Sequence, residues 1–405
     1  KSFLTTTSLD GGLMVHTLPN SRDSRVSNRR SFTSSPATAD RYAVYNKQQS
    51  GGLSSQPQHQ FQTLRTHHSN DPLSCLALVS DRSGGHVAFA GGHDDVVFAY
   101  GINSACGLAS VYSHRDVVTS LAIMPRPIGC KYGTHIMISS SWDATVKVWG
   151  VNITEGEKVH IDKEAIVEFF DADSSIDSVD AIYIQNVGVI IAAGSTDGSL
   201  IIWVWGDDGS KRIIFKEEAR RGRESCSTLK WSSSSNWSSN NGNGEYVLFA
   251  GYYNGRISSY ALTLKQQQDG NTCQVYPISK LNIGSSVQCL AIVPTRRDIF
   301  VGCADGGLRL VTVGGDARFD NEPVIFQPYR EMSSSTTTGS SSSSAILIGP
   351  GSGVVTGGSD NHNESPALTS ISAIPGSGNV MKYSLAIGWE DGTVSMFRIQ
   401  RLPTL

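Results

Sequence analysis

His114, Ser139 and Asp143 are the residue types of a hydrolytic triad. A serine hydroxyl activated by an imidazole, itself oriented by a carboxylate, would give a nucleophile for acyl transfer. The rest of the chain argues against that chemistry. The Asp recurs at a fixed place in segments that have no accompanying His, and a triad copied without its base does no work. Other chemical patterns are weaker still. Gly349-Pro-Gly-Ser-Gly353 is glycine-rich, but it follows a serine tract and lacks the strand-to-helix setting of a phosphate loop. Asp171, Asp173 and Asp177 lack the Gly and Glu of a calcium loop and read as a solvated acidic loop. The ten histidines show no metal-ligand spacing. No catalytic, cofactor-binding or metal-ligating residue is therefore expected. Arg220, Arg221 and Arg223 are the one charge cluster with a partner reading. They are either a solvated loop or a contact to an acidic partner or lipid headgroup.

The element that positions the Asp is a hairpin. Ile136 to Val151 runs from an apolar stretch through Ser139-Ser140-Ser141, turns at Trp142-Asp143-Ala144, and continues as the alternating strand Val146-Lys147-Val148-Trp149. The same form recurs around Asp10, Asp94, Asp143, Asp197, Asn254, Asp305 and Asp391. Three residues before each turn position stands a small residue: Thr7, Gly91, Ser140, Gly194, Gly251, Gly302 and Gly388. Three after stands an aliphatic one: Leu13, Val97, Val146, Leu200, Ile257, Leu308 and Val394. Six after, the residue is mostly aromatic, as in Tyr100, Trp149, Trp203, Tyr260 and Phe397. A hairpin cannot bury its apolar face alone, so repetition at a fixed period predicts a repeat architecture.

Upstream of most hairpins lies one more apolar run. Examples are Leu73 to Val79, Val118 to Ile123, Ile176 to Ile182, Ser225 to Trp231, Val287 to Ile292 and Leu368 to Ile374. Their nearly continuous apolar character predicts the most buried strand of each unit. Before each sits a more polar segment, such as Gln60 to Leu64 or Arg212 to Phe215, which reads as an edge strand. The unit is thus four antiparallel strands, and the fold class is all-β: a seven-bladed β-propeller spanning residues 1–405 as one domain. Spacings of 49 to 57 residues separate the middle turns, against 84 and 86 at the ends. The two long spacings hold low-complexity inserts at about 20–58 and about 314–365, expected to be disordered. A smaller Ser/Asn/Gly-rich stretch runs from Ser232 to Gly244. Both long inserts are expected to leave third strands, away from the face that carries the Asp turns. The first unit has no room for an inner strand and the last none for an outer strand. A segment preceding Lys1 is expected to supply both, so ring closure is expected to be incomplete in these 405 residues.

Bulk properties agree with short strands and many turns: 39% hydrophobic residues and 41 glycines. A net charge of −3 gives no global attraction to nucleic acid or anionic membranes. No apolar run reaches the ~18 residues of a membrane-spanning helix. The seven cysteines are scattered with no Cys-x-x-Cys, which favours a reducing compartment over a disulfide framework.

At these residues the chain resembles the WD-repeat family. Ser113-His114 is similar to the family's Gly-His, and Ser141 to Trp149 to its strand–turn–strand signature. The resemblance implies a structural hydrogen-bonded set of His114, Ser139, Asp143 and Trp149, complete only in this unit. The runs Gly92 to Tyr100, Tyr112 to Val118 and Ser140 to Trp149 are in turn similar to the C-terminal propeller of BEACH-domain proteins, of the type of the factor associated with neutral sphingomyelinase activation. That resemblance covers about two units. It implies a non-catalytic, cytoplasmic protein-interaction scaffold in membrane traffic or receptor-proximal signalling, with protein partners, membrane association through the full-length protein, and no direct nucleic-acid binding. The alternatives are a WD-repeat adaptor subunit of another multiprotein complex and a propeller enzyme using its central channel.

Overall fold

The computed structural model describes residues 2–7, 12–18, 42–44, 63–67, 71–80, 85–104, 106–126, 133–218, 224–232, 246–267, 270–293, 298–319, 323–326, 366–375, 382–390 and 394–401. Their strands form seven antiparallel sheets, taken here in chain order. The first pairs β1 (Ser2–Thr7), β2 (Gly12–Leu18) and β4 (Thr63–His67), while β3 (Tyr42–Val44) pairs elsewhere. The second is β5 (Leu73–Ser80), β6 (His86–Gly92), β7 (Val96–Gly101) and β8 (Cys106–Tyr112). The third is β9 (Val118–Pro125), β10 (His135–Ser141) and β11 (Val146–Thr154), edged by both β12 (Lys158–Ile161) and β13 (Val167–Phe169). The fourth is β14 (Ile176–Ile184), β15 (Gly188–Ser195), β16 (Leu200–Trp205) and β17 (Lys211–Glu217). The fifth is β18 (Thr228–Ser232), β19 (Tyr246–Gly251), β20 (Arg256–Gln267) and β21 (Gly270–Asn282). The sixth is β22 (Val287–Ile292), β23 (Asp298–Cys303), β24 (Leu308–Thr312) and β25 (Val324–Phe326). The seventh is β26 (Leu368–Pro375), β27 (Lys382–Trp389) and β28 (Val394–Arg401), followed by β3. Five sheets thus have four strands; the first has three and the third five.

The three-before, three-after rule in the sequence is hairpin register. The small residue and the aliphatic residue face each other across the turn in all seven hairpins, from Thr7↔Leu13 and Gly91↔Val97 to Gly388↔Val394. The turns have one local cause. In each described turn the Asp or Asn Oδ1 accepts the backbone N–H two residues on: Val96, Thr145, Ser199, Arg256 and Gly307, at 2.9–3.4 Å. The intervening residue takes a left-handed conformation, at Gly198, Gly255 and Gly306 without steric penalty and at Asp95 and Ala144 with one.

Apolar packing runs between successive sheets. Ile136, Ile138, Val146 and Val148 of the third sheet pack with Val189, Ile191, Ile201 and Trp203 of the fourth. The fourth's other surface packs on the fifth. The same holds from Leu13 against Leu73 and Ala88 at the start to Phe300 against Leu385 and Ile387 at the end. This corrects the expectation about burial. The most buried strand of a unit is the second, not the first: β10 and β15 are almost wholly buried, whereas β5 and β9 alternate with exposed or half-buried positions. Second strands have a neighbouring sheet on both surfaces, and first strands line the middle.

In three hairpins the small residue sits where the next sheet comes very close. A Cβ on Gly91 would lie 2.7 Å from Val118 Cγ1, on Gly194 2.5 Å from Cys226 Sγ, and on Gly251 2.5 Å from Val287 Cγ1. A hydrogen bond ties the same junction. Ser74 Oγ donates to the Val118 carbonyl, Thr119 Oγ1 to Ile176 (2.7 Å), Ser178 Oγ to Cys226 (2.8 Å) and Ser227 Oγ to Val287 (2.7 Å). The next step is a longer thiol contact, Cys289 Sγ to Leu368 O at 3.9 Å. Counted from Leu73, Val118 and Cys226, the residue next in the chain (Ser74, Thr119, Ser227) donates; after Ile176 and Val287, where the next residue is Asp177 or Gln288, the contact comes from the one beyond, Ser178 or Cys289.

The outer strands correct the insert boundaries. Val324–Phe326 lies inside the stretch of about 314–365 and pairs with β24, and Val313 bridges Phe319. Tyr42–Val44 lies inside the stretch of about 20–58 and pairs with β28, giving the last sheet the outer strand expected from outside these residues. Each is an apolar triplet, too short to show a strand period against a polar background. Among the described residues the first sheet has no inner strand. Because β25 is an outer strand, the second long insert joins an outer to an inner strand. Its attachment points are therefore on the Asp-turn face, contrary to the expectation that both inserts leave from the opposite side. Residues 233–245 lie outside the described set.

Gly251→Ala is expected to destabilise the fold by roughly 1–3 kcal/mol, because Val287 and Thr228 must move to admit one methyl group. Urea denaturation checks this; an unchanged midpoint would contradict the close approach.

Candidate functional site

The structure brings His114, Ser139, Asp143 and Trp149 together. His114 precedes the first strand of the third sheet, Ser139 is on β10, Asp143 is in the turn, and Trp149 is on β11. His114 Nδ1 lies 3.0 Å from Asp143 Oδ2, and Nε2 lies 2.8 Å from Ser139 Oγ. Trp149 Nε1 donates to the same Oγ at 2.9 Å. One directed chain satisfies all four groups: indole N–H to hydroxyl, hydroxyl to Nε2, Nδ1–H to carboxylate. Asp143 also accepts from Arg115 N (3.0 Å), Thr145 N (3.0 Å) and Thr145 Oγ1 (2.6 Å). Burial opposes charge on this carboxyl, but the hydrogen bonds from His114, Thr145 and the Arg115 backbone outweigh it and hold its pKa well below the usual carboxylate range.

This geometry has the connectivity of a triad and none of its access. Ser139 is 0% exposed. Its oxygen is already engaged by the imidazole and the indole, so no carbonyl carbon can approach it. The set fastens the loop before one strand to the turn after the next.

The other units reach the same end with other side chains, which sequence reading missed. In the fourth sheet Trp203 Nε1 donates to Asp171 Oδ2 at 2.8 Å, so a loop carboxylate stands in for the absent Ser–His pair. In the sixth, where Val311 replaces the aromatic residue, Arg309 forks onto Asp305 with bonds of 2.9 and 2.6 Å. Arg309 is only 4% exposed, and its Nε donates to the Ile283 carbonyl at 3.1 Å. Glu157, 4% exposed, accepts from His86, Asn103 and Ser104 backbone N–H at 2.8–3.1 Å, latching the third sheet to the second. Burial disfavours its charge, but these bonds prevail and lower its pKa. Asp171, Asp173 and Asp177 each have a different partner: Trp203, Lys216 (2.9 Å) and Trp142 (3.1 Å). Burial pushes the Cys226 thiol up to about 12, the behaviour of an unreactive packing group. Arg220, Arg221 and Arg223 lie outside the described residues.

The residue just before the Asp is exposed in four described turns, His93, Trp142, Tyr253 and Glu390, and half-buried in two, Thr196 and Ala304. Trp142 is 44% exposed and Tyr253 47%. The Trp142 ring meets the His93 ring edge-on at 6.0 Å between centroids. The signal for this position was present in the repeat itself: reading one residue upstream of each turn lists these residues.

No family model matches the chain. Two solved structures share its architecture. A crystal structure of RRP9 WD40 repeats aligns with a TM-score of 0.55 and 14% identity, covering 99% of this chain and 91% of that one. A structure of U3-55K aligns with a TM-score of 0.53 and 14% identity, covering 98% and 92%. At that identity the likeness concerns the fold alone: this chain is an all-β propeller of antiparallel sheets, similar in fold to WD40-repeat structures.

Asp143→Ala is expected to lower the unfolding free energy by about 2–4 kcal/mol, since it removes an acceptor with four donors. Asp197→Ala, which removes one backbone acceptor bond at 2.9 Å, is expected to cost about 0.5–1.5 kcal/mol. Because the folded pKa of Asp143 is depressed, its contribution is complete above the unfolded value and is lost as pH falls through the folded one. The gap between wild type and Asp143→Ala should therefore be flat from about pH 5 to 8 and narrow in acid. Denaturant titrations at several pH values check both statements.

Proposed function

We propose that the chain is a non-catalytic protein-interaction platform, its seven sheets the blades of one ring and the Asp-turn face its docking surface. The observation that carries the reading is a contrast within the third sheet. The one triad-like set is sealed and already hydrogen-bonded, while the residue beside it, Trp142, is held in place with its ring in solvent. Exposed, pre-ordered aromatic residues are what protein interfaces use as anchors.

The resemblance of Gly92 to Tyr100, Tyr112 to Val118 and Ser140 to Trp149 supports placement in a larger BEACH-type, cytoplasmic scaffold, with membrane association supplied by the full-length protein. A WD-repeat adaptor subunit of another multiprotein complex fits the fold equally well. A net charge of −3 favours protein over nucleic-acid partners in either setting. Arg220, Arg221 and Arg223 are a second proposed contact, to an acidic partner or lipid headgroup.

Affinity purification of the full-length protein with partner identification tests the reading. Partners should be lost with Trp142→Ala/Tyr253→Ala and kept with Ile213→Ala, an equally exposed residue on the outer strand β17. Retention of every partner by the double variant would remove the Asp-turn face as the docking surface.

A further inference from the structure

Several carboxylates on the Asp-turn face, Asp177 among them, are held by neutral donors alone. Asp177, the second residue of β14, accepts from Trp142 Nε1 on Oδ1 at 3.1 Å and from Ser225 Oγ on Oδ2. None of the ion pairs among the described residues includes it. Neighbouring acids differ: Asp173 pairs with Lys216, Glu224 with Arg256 and Asp305 with Arg309. Burial raises the Asp177 pKa against the pull of its two hydrogen bonds, as expected where no cation offsets desolvation.

Two exposed aromatic residues border it. Trp142 is fixed by its own N–H to Val117 O (3.1 Å), by Ser175 Oγ to its carbonyl (2.9 Å) and by the indole bond to Asp177. Tyr253 approaches from the fifth sheet, its N–H bonded to Ser225 O at 3.0 Å. Burial, and then the nearby Asp177 charge, raise its phenol pKa. Carboxylate beside aromatic ring is a cation-binding chemistry, and the molecule already uses it internally. Arg256 lies over the Tyr252 ring at 3.9 Å while its Nη1 reaches Glu224 at 3.4 Å. There the guanidinium is supplied by the chain itself; at Asp177 no such group is present among the described residues.

We propose that Trp142, Asp177 and Tyr253 form a subsite for an arginine side chain carried on an extended segment of a protein partner. This rests on the reading of the Asp-turn face as the docking surface. A planar guanidinium stacks on a ring while its N–H fork meets a carboxylate, and it is less tightly hydrated than an ammonium. Asp94, Asp95 and Asp116 on adjoining turns and loops add negative charge beside Trp142, which favours a basic peptide as the occupant of this subsite.

The test uses immobilised nine-residue peptide pools with the central residue fixed as Arg, Lys, citrulline or Glu and all other positions randomised, probed with the full chain. The Arg pool should retain about tenfold more protein than the citrulline or Glu pools. Asp177→Asn, which keeps shape and hydrogen-bonding capacity, should reduce that retention about tenfold with an unchanged circular dichroism spectrum and melting curve. Equal retention on Arg and citrulline pools, a preference for Lys over Arg, or full Arg binding by a folded Asp177→Asn variant would each overturn the proposal. If partner capture still depends on Trp142 and Tyr253 while the pools show no Arg preference, the docking face stands and the subsite falls. If both fail, the docking face falls as well.

Discussion

The whole fold hangs on one close approach: the second strand of each sheet against the first strand of the next. At Gly91, Gly194 and Gly251 the neighbouring side chain occupies the volume a Cβ would need. That contact lets two sheets share one apolar core, and a hydroxyl-to-carbonyl bond locks it at the same point. A small residue, a polar donor and an aliphatic first residue are therefore one device seen at three sequence positions. Register follows from it. A hairpin slipped by one residue would set a side chain against the next sheet and expose its apolar set.

The Asp turns are secondary to that contact, and their chemistry shows it. Their common requirement is an Oδ1 that accepts the N–H two residues ahead, which Asn254 meets as well as Asp143. How the hairpin is tied to the loop before the first strand varies: a His–Ser–Trp chain in the third sheet, a Trp203–Asp171 bond in the fourth, and in the sixth Arg309, which joins Asp305 to the Ile283 carbonyl. All three give a buried donor an acceptor: the Trp149 indole, the Trp203 indole and the Arg309 guanidinium. Interchangeability of this kind is what a structural joint tolerates and a catalytic site does not. The exposed residues before the turn positions, His93, Trp142, Tyr253 and Glu390, lie outside these joints and differ widely.

Much of this was written in the sequence because the repeat compares seven copies within one chain. Hairpin register and the first-strand runs follow from recurrence, whereas the His114–Asp143 pairing, which no other unit repeats, came from the family resemblance. Three things stayed hidden for physical reasons. Outer strands of three residues, Tyr42–Val44 and Val324–Phe326, are shorter than any period that could reveal them. The burial order was misjudged because both first and second strands are apolar, and only the packing of sheets shows which has two covered surfaces. The compensating partners Asp171, Arg309 and Glu157 answer to local needs of single units, so no comparison between copies points to them. The same holds for Asp177, which resembles a loop acid until Trp142 and Ser225 are seen to hold it.

The hydroxyl-to-carbonyl bonds at the close approaches run one way, from Ser74 onward, each donor in the earlier sheet and each acceptor in the later. The assembly therefore has a head and a tail. A unit excised and reinserted elsewhere would have to match a donor behind it and a carbonyl ahead of it, and the donor sits at the second residue in some units and the third in others. A sheet moved to another place would have to remake that bond with a new neighbour on each side.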